Sequence, residues 1–110
     1  MRSITMEKDY TKWYAMNDRD LMKVIGNFIR DSRLDLEMTQ SQLSKYAGIN
    51  RSTLSQVENG VGGTLFTFIR LLRALEKLPL FEHFLSGQPE SADRESVRQR
   101  ARQETGDDDL

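Results

Sequence analysis

The chain has 110 residues, one domain's length, with 37% apolar and 30% charged residues, a composition that excludes wholesale disorder and a membrane-spanning protein. No apolar run approaches the ~20 residues a bilayer requires, the N-terminus lacks the apolar stretch of a secretory signal, and zero cysteines exclude disulfides and thiolate chemistry, so a cytoplasmic protein is expected. The net charge of −1 is unevenly divided. From Ser86 onward four arginines face seven acids, leaving the tail acidic by three and the first 85 residues basic by two, which permits nucleic-acid binding without arguing for it.

Residues 1–16 form an extension. Tyr10, Trp13 and Tyr14 stand at i, i+3, i+4, so a helical turn would lay three aromatics on one face. Two readings stay open, a flap packed over the core and a contact with a partner or second copy. Asn17 or Asp18 can cap the next helix and Asp20 favours its first turn; Leu21, Val24, Ile25, Phe28 and Ile29 then form an apolar stripe that runs to about Leu34.

Thr39 and Gln42 have capping-box spacing, so a second helix starts there; Gly48 suits the left-handed residue that ends it after Ala47. Asn50 can cap a third helix, Arg51 to Asn59, that ends at Gly60. Two short helices with a glycine in the joint predict a helix-turn-helix, whose second helix is shaped for a DNA major groove. Leu43, Ala47, Ile49, Leu54 and Val57 would face the core. Asn50, Arg51, Ser52, Ser55, Gln56 and Asn59 are polar but mostly uncharged, which suits base edges and phosphates. The plainer reading makes them surface residues of a helical domain.

Val61 to Gly63 read as a loop and Thr64 as the cap of a fourth helix, whose Leu65, Phe66, Phe68, Ile69, Leu71, Leu72, Leu75 and Leu78 demand burial on more than one side. Pro79 is expected to stop it, and Leu80 to Leu85 to form a short fifth helix. His83 has no second ligand or nucleophile in any motif and reads as a packing or surface residue. From Ser86 the composition cannot bury enough to offset chain entropy, so residues 86–110 read as a disordered charged tail, with 91–104 the one candidate helix. Arg94, Arg98, Arg100 and Arg102 would contact phosphate or an acidic partner, or simply be solvated. No paired carboxylates, Ser-His-Asp set, phosphate loop or metal cluster is visible, so catalytic residues, metal and cofactor are all read as none.

The segment MTQSQLSKYAGINRSTLSQVENG resembles the helix-turn-helix of the Cro/repressor (Xre) family, through Gln40, Leu43, Gly48, Ile49, Leu54, Glu58 and Gly60, with Ser44 where alanine is usual. The resemblance covers roughly residues 18–78. It implies an all-α, five-helix, lambda-repressor-like DNA-binding domain at 17–85 followed by a flexible tail. It also implies a sequence-specific regulator of transcription that acts as a homodimer on a palindrome and represses its own operon. By position, Gln40 would meet a phosphate and Asn50, Arg51, Ser52 and Gln56 would face base edges. Asn59 and the backbone from Gly62 to Thr64 would take further phosphates. An arginine and a glutamate, here Arg33 and Glu58, would pair to tie the first helix of the domain to the third. The stretch GTLFTFIRLLRALEKL and the tail VRQRARQE are similar to HipB-like antitoxins, which implies as the alternative a protein whose main role is to bind and neutralise a HipA-type kinase toxin.

Overall fold

The structure, a computed structural model, describes residues 10–86 and 94–105. All regular elements among them are helical: α1 Thr11–Ala15, α2 Asp18–Asp35, α3 Gln40–Ala47, α4 Arg51–Glu58, α5 Leu65–Ala74, a 3-10 turn Leu78–Phe81, α6 Glu82–Ser86 and α7 Arg94–Thr105. Five segments, α2 to α5 and the 3-10 turn running into α6, make the expected body. Among the described residues no helix is long and apolar enough to cross a membrane.

Local chemistry sets the helix starts. Asn17 accepts a hydrogen bond from the Asp20 backbone N–H at 2.8 Å, and Thr64 accepts from Thr67 N–H at 3.1 Å. At α3 the capping box is complete: Thr39 Oγ1 accepts from Gln42 N–H at 3.0 Å, and Gln42 Oε1 accepts from Thr39 N–H at 2.8 Å. Each arrangement satisfies donors that a helix start would otherwise leave without partners. Asn50 occupies the N-cap position of α4, yet its side chain makes no capping bond.

Four helices end in similar ways, with a left-handed residue at the cap (α3) or just after it (α2, α4 and α5) and the next N–H reaching back to the last turn. Met38 donates to Arg33 O, Ile49 to Ser44 O, Val61 to Gln56 O and Lys77 to Leu72 O. Gly48 and Gly60 take the left-handed position at α3 and α4, with φ of 73° and 72°; Glu37 and Glu76 take it at α2 and α5, with φ of 58° and 61°. Here the structure departs from expectation. The fourth helix of the body stops at Ala74, because Glu76 turns left-handed three residues before Pro79 can act.

α2 packs on α4, and α3 on both α4 and α5. Ile29, Leu43, Ala47, Leu54, Val57, Leu71, Leu72 and Leu75 form the buried core, with Phe28, Ile49, Phe68, Leu78 and Phe81 half-buried around it. The expected stripe on α2 is only partly the buried one. Val24 and Ile25 are each 40% exposed, whereas Gly26, Ile29, Ser32 and Arg33 are buried. The reason lies at Gly26, where a Cβ would stand 2.5 Å from Val57 O and 2.6 Å from Glu58 O. The C-terminal carbonyls of α4 press against α2 where it has no side chain, so large aliphatics are displaced to its flanks. α1 buries none of its residues, so Trp13 and Tyr14 are not sealed over the core as a flap would be.

Candidate nucleic-acid interface

The α3–α4 pair is built on a glycine turn. Gly48 has the left-handed backbone that lets the chain reverse from α3 into α4. Across this turn lies Arg70 of α5, whose Nη1 donates to Ala47 O at 3.1 Å while its guanidinium stacks 4.9 Å from the centre of the Phe66 ring. Ala47 O is among the C-terminal carbonyls of α3, where positive charge is favourable. A Cβ on Gly48 would come within 2.5 Å of Arg70 Nη1, so the guanidinium occupies the space a larger residue would need.

At the far end of α4, Glu58 is buried, its side chain 1% exposed. Arg33 Nε donates to Glu58 Oε2 at 2.7 Å and Nη2 to Oε1 at 2.9 Å, a bidentate pair, while Nη1 donates to Met38 O at 2.9 Å. Gln40 Nε2 donates to Glu58 Oε1 at 3.0 Å. One carboxylate thus joins the end of α2, the start of α3 and the end of α4. Burial pushes the Glu58 carboxyl up, but the hydrogen bonds from Arg33 and Gln40 and the charges of Arg33 and Arg30 outweigh it, so its pKa lies below the ordinary glutamate value. The hydrogen bond to Glu58 is the main reason that the Arg33 pKa is raised.

The outward face of α4 contrasts with this. Asn50, Arg51, Ser52, Gln56 and Asn59 are exposed and Ser55 is half-buried. Gln40, Arg51, Ser52, Ser55 and Gln56 line one shallow groove. The structure therefore brings five of the sequence-read residues together, with Asn50 and Asn59 at the two ends of the same helix. Thr64 stands apart at the start of α5. Its hydroxyl accepts from Thr67 N–H and donates to Thr67 Oγ1 at 3.2 Å, which leaves backbone groups as its means of contact. Gln40 belongs to both sets, since it borders the groove and is held by Glu58.

Sequence reasoning missed three residues. Gly26 carried a signal, a glycine in the middle of a helical pattern, which marks close approach of another backbone. Arg70 and Arg30 carried none, because each acts through a carbonyl or carboxylate that only the fold brings near. Arg30 Nε lies 3.8 Å from Glu58 Oε1, beyond hydrogen-bonding distance, on a side chain 42% exposed.

A short helix, a glycine turn and a second helix with a polar outward face, braced by two flanking helices, define a helix-turn-helix domain. Comparison with known proteins agrees. Residues 29–82 match the family model described as Helix-turn-helix. Over 62 residues the chain is 32% identical to a protein from Thermoplasma volcanium provisionally named an HTH-type transcriptional regulatory protein, which covers 56% of this chain and 20% of that protein. The chain thus spans about a fifth of the length of that relative. The similarity to the helix-turn-helix family lies in residues 29–82, which hold α3, α4 and α5.

Proposed function

We propose that the chain is a sequence-specific, DNA-binding regulator of transcription that acts as a homodimer on a palindromic operator and represses its own operon. The observation that carries this reading is the state of the outward α4 side chains. Asn50, Arg51, Ser52, Ser55, Gln56 and Asn59 make no side-chain hydrogen bond or ion pair among the described residues, while the opposite face of the helix is buried. A rigid helix with a row of uncommitted donors and acceptors is what base-edge recognition requires. Arg51 takes guanine in a bidentate contact and Gln56 takes adenine, each giving ~1–3 kcal/mol of discrimination. Gln40, with one amide N–H held by Glu58, presents the other to a phosphate. Asn59 and the backbone from Gly62 to Thr64 take the neighbouring phosphates.

One module of this size buries too little for tight specific binding, so two copies on half-sites about one helical turn apart are expected. Leu80, Phe84 and Leu85, exposed at the end of the body, support pairing with a second copy. The name of the Thermoplasma volcanium relative supports regulation of transcription and adds nothing to the antitoxin reading.

The test is fluorescence anisotropy on DNA from upstream of the gene, with wild type and an Arg51→Ala, Gln56→Ala double variant. Wild type is expected to prefer this DNA over random sequence, and the double variant to fall to the random-sequence level. Absence of any preference in wild type overturns the reading and moves the toxin-binding alternative ahead.

A further inference from the structure

Arg30 and Lys23 are cations of α2 that the base-reading face does not use. Arg30 stands beside Glu58 Oε1 at 3.8 Å, the same oxygen to which Gln40 donates at 3.0 Å. It is therefore a close neighbour of the groove that Gln40 shares with Arg51, Ser52, Ser55 and Gln56. None of the Arg30 guanidinium N–H groups makes a hydrogen bond among the described residues; Glu58 attracts it but already receives Arg33 and Gln40. Seven residues earlier, on the same face of α2, lies Lys23, with exposed Asn27 between them. A Cβ on Gly60 would sit 2.8 Å from Lys23 Cγ and 3.0 Å from its Cα, so Lys23 is held against the C-terminal end of the recognition helix.

We propose that Lys23 and Arg30 form a phosphate-tracking edge of the DNA site, each neutralising one phosphodiester of the strand that runs past the C-terminal end of α4. This deepens the DNA-binding reading and rests on it. The chemistry favours phosphate over a base edge. Arg30 is anchored loosely at its Nε side by a carboxylate it does not bond, so its outer amino groups can meet an oxyanion. Lys23 is a point charge on a flexible stem with no acid bonded to it. Neither is set in the row of α4 that reads sequence. Their contribution should thus be independent of sequence and sensitive to salt.

The experiment is a salt series of anisotropy titrations on a labelled random-sequence DNA duplex, with wild type, Lys23→Gln, Arg30→Gln and Arg30→Lys, and Tm recorded for each. Each Gln variant is expected to flatten the slope of log affinity against log salt by about 0.9. Between 50 and 200 mM salt the wild-type-to-variant affinity ratio then shrinks about 3.5-fold. Arg30→Lys should keep the wild-type slope. A purely structural role for Arg30 predicts a lowered Tm with the slope unchanged, and that result overturns the inference for Arg30. Lys23→Gln with the wild-type slope overturns it for Lys23. Wild type that fails to bind the duplex even at the lowest salt overturns the DNA-binding reading, and this inference with it.

Discussion

The two ends of α4 are built on opposite terms. At its start, Asn50, Arg51 and Ser52 are exposed and without side-chain partners, and even the cap bond that Asn50 could make is left unmade. At its end, Glu58 receives three hydrogen bonds from two other helices, and the terminal carbonyls rest on Gly26 with no room for a methyl group. The difference shows how eight residues can be both a rigid reader and part of a core. The helix is held from its C-terminal end and its inner face, through Leu54 and Val57, so its N-terminal end need contribute nothing to stability. Binding groups can then stay uncommitted until a ligand arrives.

Removing the grip should have the largest effect. Glu58→Ala leaves the Arg33 guanidinium buried without its acid and is expected to cost ~3–5 kcal/mol in urea unfolding. Arg51→Ala, at the other end, should lie within about 0.5 kcal/mol of wild type. Equal losses from the two would break the comparison. Next comes Gly26→Ala. Its Cβ meets backbone rather than a movable side chain, so despite the better helix propensity of alanine a loss of ~1–3 kcal/mol is expected from thermal or chemical unfolding.

Acid sharpens the same contrast. The Glu58 pKa is depressed by folding, so its contribution is fully present above the unfolded value, about 4.3, and is lost as pH falls through the lower folded value. Arg33 has the opposite sign, and its share would be lost only above the ordinary arginine range. Stability should therefore fall with acid in wild type, and less steeply in Glu58→Gln. The smallest effect is at the helix stops that lack glycine. Glu76→Gly and Glu37→Gly relieve a left-handed backbone but loosen the unfolded chain, for a net gain of about 0.5 kcal/mol each.

What could be read from the sequence was what local chemistry determines. Thr39 with Gln42, Gly48, Gly60 and Thr64 signal helix ends through bonds made within a few residues, and the polar row of α4 is visible as a departure from periodic apolar spacing. The buried face of α2 was harder. Its order of aliphatics favoured Val24 and Ile25, and only the approach of α4 made Gly26 and Ser32 the inward residues. The end of α5 was misplaced because Pro79 is a strong stop signal, whereas a left-handed glutamate has no signature of its own. At Asn50 the residue type suits a cap, but its side chain remains unbonded at the groove end of α4.

The contact between Gly48 and Arg70 bears on how such a chain can drift. A guanidinium stands where a side chain at position 48 would go, and it stacks on the ring of Phe66 four residues back along α5. Glycine at 48 is therefore required by its left-handed backbone, whereas the guanidinium, the far end of a flexible side chain, would have to swing aside for any larger residue. Shortening Arg70 clears that space without easing the backbone requirement, and also leaves Ala47 O without its donor. Substitutions at positions 48 and 70 should accordingly travel together: a lineage that changes the turn must also re-place the guanidinium that the middle of α5 lays across it.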